Sequence, residues 1–222
     1  MILIPVKNFD TAKQRLSANL PQASRTELAQ AMLQDVLSTL ADFRRDDVSV
    51  VTSDPFAIDI AASHRFEIIR DDANLSETDA IAMATSVCQD RGIRCTLVIP
   101  GDVPLIEAAE LAAIYANSPE TGSVLVPAHD RRGTNAILRS PAGLFPLRFG
   151  NDSFLPHLAA AKATQQACVV LTLQGIGLDI DTAEDLRQLA SAPGNRRSQL
   201  LARRVLEQSV VEISTEPVSA NP

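Results

Sequence analysis

The chain has 222 residues, which against a loose prior of about 150 residues per domain favours one large domain with a substantial core. Hydrophobic residues make up 45% and charged residues 21%, close to the globular average, which excludes a disordered chain or a fibrous repeat. Twenty Lys+Arg against 27 Asp+Glu leave a net charge of −7, so non-specific attraction to nucleic acid or an anionic membrane is disfavoured, and an anionic ligand must be met by a local cluster of cations.

In chain order, Ile2-Leu3-Ile4-Pro5-Val6 is an uninterrupted apolar run of the kind that marks a strand covered on both faces, and its place suggests a central strand. From Pro21 the period changes. Leu28, Met32, Val36 and Leu40 recur every four residues and describe one face of a long helix. Val48 to Val51 reads as a second strand, Phe56 to Ser63 as a short helix, and Phe66 to Ile69 as a third strand. Ser76-Glu77-Thr78-Asp79 has the form of a capped helix start, with the helix running to about Gln89. Thr96 to Ile99 is the next buried strand, followed by an Ala-rich helix from Glu107 to Tyr115. Ser123 to Val126 and Ala136 to Leu138 are further strands, His157 to Thr164 reads as a helix, and Cys168 to Leu173 is another strand. The expected organisation is a single domain over residues 1–208, with residues 209–222 as a tail.

This alternation predicts an open α/β sheet with helices on both faces, whose binding crevice lies at the carboxyl ends of its strands. The segment from Gly122 to Leu173 has less helix and is expected to be a small antiparallel extension over that crevice. No apolar run approaches the roughly 18 residues of a membrane span, and Met1 to Val6 is too short for a signal-peptide core, so a cytoplasmic protein is expected. Cys88, Cys95 and Cys168 show no C-x-x-C spacing and read as reduced thiols. His64, His129 and His157 lack the spacing of a zinc site.

Three segments at strand ends carry polar residues that a core would reject. After the first strand, Lys7, Lys13 and Arg15 bring three cations together, suited to a polyphosphate, Arg as a planar fork and Lys as a point charge; an ordinary solvated loop is the alternative. The glycines of a P-loop or a dinucleotide fingerprint are absent. Asp102 follows a buried strand inside Pro100-Gly101-Asp102-Val103-Pro104, where Gly and Pro fix a tight turn; it either points into the crevice or caps the next helix. In Leu178-Asp179-Ile180-Asp181-Thr182, residues two apart share a face, so Asp179 and Asp181 project together while Ile180 faces the core. Two such carboxylates repel unless a cation lies between them, and hard oxygen ligands suit Mg²⁺. Asp181 is alternatively a helix N-cap, with Glu184 completing a capping box. A cationic lip with three aspartates is the equipment of phosphoryl or nucleotidyl transfer.

These stretches, with Asp130-Arg131-Arg132-Gly133-Thr134-Asn135-Ala136 and Phe149-Gly150-Asn151-Asp152-Ser153-Phe154, occur in an order that resembles the 2-phospho-L-lactate guanylyltransferase family over about residues 1–190. The resemblance implies a nucleotidyltransferase-type, Rossmann-like, mostly parallel sheet. It further implies transfer of the GMP part of GTP to the phosphate of a small three-carbon acid with release of pyrophosphate, in coenzyme F-420 biosynthesis. The acceptors across the family are 2-phospho-L-lactate, phosphoenolpyruvate and 3-phosphoglycerate. By the same likeness Asp102, Asp179 and Asp181 are the catalytic residues and hold Mg²⁺, Lys7, Lys13 and Arg15 lie along the nucleotide's phosphates, and Thr134, Gly150 and Ser153 cradle the acceptor phosphate. Backbone N–H groups at Gly150 and at the start of the helix near Ser153 suit an anion.

A sugar-phosphate or molybdopterin nucleotidyltransferase would carry a Gly-rich Leu-Ala-Gly-Gly type loop after the first strand, and Pro5-Val6-Lys7-Asn8 is not that. A non-catalytic nucleotide-binding module would tolerate loss of one aspartate, and all three are present. The basic pairs Arg131-Arg132, Arg196-Arg197 and Arg203-Arg204 read most simply as solvated surface, and of these only Arg131 and Arg132 are candidates to reach a ligand. An apolar helix face at Leu200, Leu201, Val205 and Leu206 offers a surface for a second subunit in a homodimer.

Overall fold

The computed structural model describes residues 1–215, with side chains through residue 208. Its strands are β1 (Ile2–Pro5), β2 (Val48–Thr52), β3 (Glu67–Arg70), β4 (Thr96–Val98), β5 (Gly122–Pro127), β6 (Thr134–Ser140) and β7 (Ala167–Val170). They form one sheet in the order β3-β2-β1-β4-β6-β5-β7. β6 alone runs antiparallel, paired with β4 on one side and β5 on the other, so the antiparallel part is built into the sheet and the crevice is walled by the loops around it. β1 is central, as its apolar run requires.

Side chains alternate across the sheet because the strand period is two. Ile2 and Ile4 join one core with α1 (Gln22–Phe43), α2 (Pro55–Ser63), α4 (Ala108–Ala116), α7 (Ala183–Ser191) and α8 (Arg197–Thr215), whereas Leu3 joins a second core with α3 (Glu77–Asp90) and α5 (Phe154–Ala163). Leu28, Met32, Val36 and Leu40 form the buried stripe of α1. Asp54 caps α2 through Ala57 N–H, and Ser76 caps α3 through Asp79 N–H.

Three expectations are corrected. The helix of α8 continues to Thr215, so residues 209–215 are not an irregular tail; residues 216–222 lie outside the described residues. Leu201 and Val205 are buried, and Leu206 packs on the same core, so this face of α8 is used within the chain and leaves Leu200 exposed. β7 ends at Val170, short of the expected Leu173, and a four-residue helix, α6 (Gln174–Gly177), follows it. The three cysteines form no disulfide. Among the described residues no helix is long and apolar enough to cross a membrane.

Candidate active site

The loop after β1 is held against α1, not left to solvent. Arg25 donates to the carbonyls of Ala12 and Leu20, Thr26 donates to the carbonyl of Phe9, and the Phe9 ring meets Phe56 edge-on. These contacts sustain a left-handed backbone at Lys13, φ 52°, a conformation that a non-glycine residue keeps only when its surroundings fix it. Lys13 Nζ then lies 2.6 Å from Asp102 Oδ2 and 2.9 Å from Asp181 Oδ1. Burial alone would lower the Lys13 pKa; the two carboxylates outweigh it and raise it. Arg15 reaches Asp181 Oδ2 at 3.0 Å and bonds Asn151 with its other terminal nitrogen. Lys7 turns away to Asp71, 2.7 Å between Nζ and Oδ2. The three cations thus line one cavity, with Lys7 paired to a different carboxylate from the other two.

Asp102 sits in the turn after β4 and is no helix cap, because Glu107 caps α4 with Glu110 completing the box. Its carbonyl accepts from Ile180 N–H at 3.3 Å, which docks the Asp179–Asp181 segment beside it. That segment is anchored from below. Glu110 accepts from the N–H groups of Gly175 and Ile176, and a Cβ at Gly175 would come within 2.2 Å of the Leu105 carbonyl oxygen. Asn135 donates to the Ile176 carbonyl at 2.9 Å and to Asp179 Oδ1 at 3.0 Å. The capping alternative for Asp181 is corrected: Thr182 caps α7 and Asp185 completes the box, so Asp181 is left for the crevice, with Ile180 buried as expected.

The carboxylates are crowded. Burial, then repulsion by Asp102 and Asp181, pushes Asp179 up to about 6. Burial and the charge of Asp102 push Glu77 up to about 7, against the pull of Lys7 and Lys13. Burial also raises Asp181, but Lys13 and Arg15 outweigh it and hold this carboxyl below its ordinary range. Glu77 was read from sequence only as part of a helix start, and Asp71 carried no assigned role.

On the other wall, β6 begins at Thr134. His157 lies buried beneath it, with Nδ1 2.9 Å from Thr134 Oγ1, while its Nε2 accepts from Arg148 N–H at 2.8 Å. That acceptor role places the imidazole proton on Nδ1, so His157 donates to the Thr134 oxygen and the threonine's own proton is directed elsewhere. Burial, then the positive charge of Arg139, pushes the His157 pKa down to about 4 and keeps the ring neutral. Ser153 is also buried, and its hydroxyl accepts from Thr134 N–H at 3.1 Å. Gly150 has φ 125°, a conformation that favours glycine. Arg132 forks onto Asp152 at 2.6 and 3.3 Å. A lone histidine on a helix gave no signal in the sequence.

Two adjoining cavities result. One of about 390 Å³ runs from Val6, Phe9 and Leu33 to Lys7 and Lys13. The other, about 260 Å³, is polar and is lined by Thr134, Asn135, Gly150, Ser153 and Asp179. Arg15, Glu77, Pro100, Asp102 and Asp181 line both. Of the expected site residues, only Lys7 and Lys13 are confined to the first cavity.

Among the described residues no three His, Cys, Asp or Glu side chains form a ready cage for a metal ion. The donor set nevertheless fits Mg²⁺ in a specific way. Both oxygens of Asp181 already face cations, whereas Asp179, raised by burial and then by the negative charge of Asp102 and Asp181, gains from a dication beside it. Two carboxylates completed by ligand phosphate oxygens is the habit of Mg²⁺.

Comparison with known proteins shows the family and the fold. Residues 1–214 match the family described as guanylyl transferase CofC like. The chain is 35% identical over 204 residues to the phosphoenolpyruvate guanylyltransferase of Roseiflexus castenholzii, covering 92% of this chain and 94% of that one. It is 33% identical over 193 residues to the 3-phospho-D-glycerate guanylyltransferase of Colwellia psychrerythraea, covering 85% and 90%. A solved structure of the nucleotide-diphospho-sugar transferase type from Desulfovibrio desulfuricans superposes with a TM-score of 0.75 at 18% identity, covering 94% and 96%; at that identity it speaks for the fold alone. The chain belongs to the guanylyl transferase CofC-like family.

Proposed function

We propose that, as a member of this family, the chain joins the GMP part of GTP to the phosphate of a small three-carbon phospho-acid and releases pyrophosphate, in the assembly of coenzyme F-420. The acceptor is drawn from 2-phospho-L-lactate, phosphoenolpyruvate and 3-phosphoglycerate. The observation that carries this reading is the placement of Lys13 between Asp102 and Asp181, in the seam shared by a larger, partly apolar cavity and a smaller, polar one.

The chemistry follows from that arrangement. An oxygen of the acceptor phosphate attacks the α-phosphorus of GTP, a new P–O bond forms, the bond to the β-phosphate bridge breaks, and pyrophosphate leaves with its electron pair. Base and ribose suit the cavity walled by Val6, Phe9 and Leu33, with the triphosphate along Lys13 and Arg15 and its far end toward Lys7. The acceptor phosphate lies against Thr134 and the backbone at Gly150 and Ser153. Arg15, bonded to both Asp181 and Asn151, spans the two substrates and can hold them in line. Asp102 and Asp179 would hold Mg²⁺, which offsets the charge of the phosphates when bound. Lys13 then exchanges a carboxylate partner for a phosphate one as the nucleotide enters.

The test is acceptor dependence. Pyrophosphate release should require GTP, Mg²⁺ and a phosphorylated three-carbon acid together. Release at a comparable rate without any acid would indicate a hydrolase and overturn the reading.

A further inference from the structure

A second polar feature lies at the opposite end of β6 from Thr134. Arg139 is 2% exposed and pairs across the sheet with Thr96 of β4 and Ser123 of β5. Directly opposed residues of antiparallel strands share a face, so these three side chains form one row beneath α3. Among the described residues, the buried side-chain polar atoms without a hydrogen-bond partner are Thr96 Oγ1, Ser123 Oγ and Arg139 Nε. They are the members of this row.

The guanidinium donates to the Phe145 carbonyl and to Thr85 Oγ1, and its face lies 5.9 Å from the centre of the Phe145 ring. Every one of these contacts is to a neutral group. Burial without a carboxylate pushes Arg139 down to about 10. An unpaired buried charge costs several kcal/mol, which is why buried charges are otherwise found paired.

Arg139 also lines a cavity of about 280 Å³ with Thr85, Ser86, Gln89, Gly143 and Phe145, and no acidic residue contributes to its wall. Gly143 leaves room for an amide: a Cβ there would come within 2.5 Å of Gln89 Nε2. The walls therefore offer one cation and neutral polar groups, with Ile81, Ala82, Pro146 and Leu147 as an apolar remainder, a place for the charged group of a small anion.

We propose that this cavity is a second ligand site, separate from the nucleotide crevice, where Arg139 receives the carboxylate or phosphate group of a small oxyanion. Acetate and inorganic phosphate are the probes, used separately to tell the two sources of the oxyanion apart. Each is titrated into the ¹⁵N-labelled full chain while the Arg139 side-chain Nε–H and the amides of Thr85, Gly143 and Phe145 are followed.

At least one probe should shift this set in a saturable way. The shifts should persist in Thr134→Val, whose changed side chain lies at the opposite end of β6 from Arg139, and Arg139→Met should weaken binding at least tenfold. Because a core variant can fail to fold, the wild-type Arg139 Nε–H signal is decisive by itself. Its failure to move with either probe, or shifts confined to residues 150–153, would overturn the proposal.

Discussion

Lys13 and Asp102, 89 residues apart in sequence, meet at 2.6 Å between Nζ and Oδ2. The same ammonium also holds Asp181, and so offsets the repulsion of carboxylates that the chain brings from two separate loops. Lys13→Ala should therefore destabilise the protein more in chelator than in Mg²⁺. Removing one partner of a fully buried pair costs about 3–5 kcal/mol, but the Asp102 and Asp181 side chains are 31% and 32% exposed, so about 2 kcal/mol is expected. For a chain of this size that is a fall of about 4–8 °C in Tm. Melting curves with EDTA and with Mg²⁺ check it; equal losses in both would mean that the carboxylates do not take the metal.

Thr134→Val keeps the branched shape and removes a hydroxyl whose bond to a phosphate is worth about 1.5–3 kcal/mol. The KM for the acid should rise about 10- to 100-fold, at about 1.4 kcal/mol per decade, with the KM for GTP nearly unchanged. Lys13→Ala should show the reverse pattern. Arg15 touches both cavities, so Arg15→Ala should raise both constants. Steady-state kinetics of the three variants decide the division of the crevice, and parallel losses in the first two would refute it.

The buried His157 ties stability to pH. Its pKa is lowered from 6.5 to about 4, so the unfolded chain binds the extra proton first as pH falls. The stabilisation is complete above pH 6.5 and is lost progressively down to about pH 4, a difference of about 3 kcal/mol at 1.36 kcal/mol per unit. His157→Gln, which can still accept from Arg148 N–H, should lose this part of the slope. Urea unfolding of both proteins across that range measures it, and identical slopes would contradict a neutral native histidine.

Asp179, raised to about 6, makes metal binding pH-dependent. Below pH 6 Mg²⁺ must displace a proton, so its apparent affinity should fall by up to about tenfold per unit, with little change above pH 6. Calorimetric Mg²⁺ titration at pH 5 and 7 checks the sign. Asp179→Asn should bind Mg²⁺ weakly and without that dependence.

The features legible in the sequence are those with local signatures. The period-four stripe of α1, the apolar runs of β1 and β4, and the polar residues at strand ends led to the sheet, to Asp102, and to the shared face of Asp179 and Asp181. Contacts between distant segments left no such mark. Nothing local says that Lys7 turns to Asp71, that Glu77 faces the aspartates across the crevice, or that His157 sets the Thr134 hydroxyl. The cap of α7 was misjudged by one residue because Asp181 and Thr182 are both good N-caps followed three residues later by an acidic one, Glu184 or Asp185.

The most direct measurement is the mass of the product formed from GTP, Mg²⁺ and each of the three acids in turn. At least one acid should yield an adduct equal to the acid plus GMP less one water, with one pyrophosphate per adduct, and Asp102→Asn should reduce its formation by orders of magnitude while the fold survives. Failure of all three acids to give such an adduct, or undiminished formation by Asp102→Asn, would contradict guanylyl transfer at this crevice.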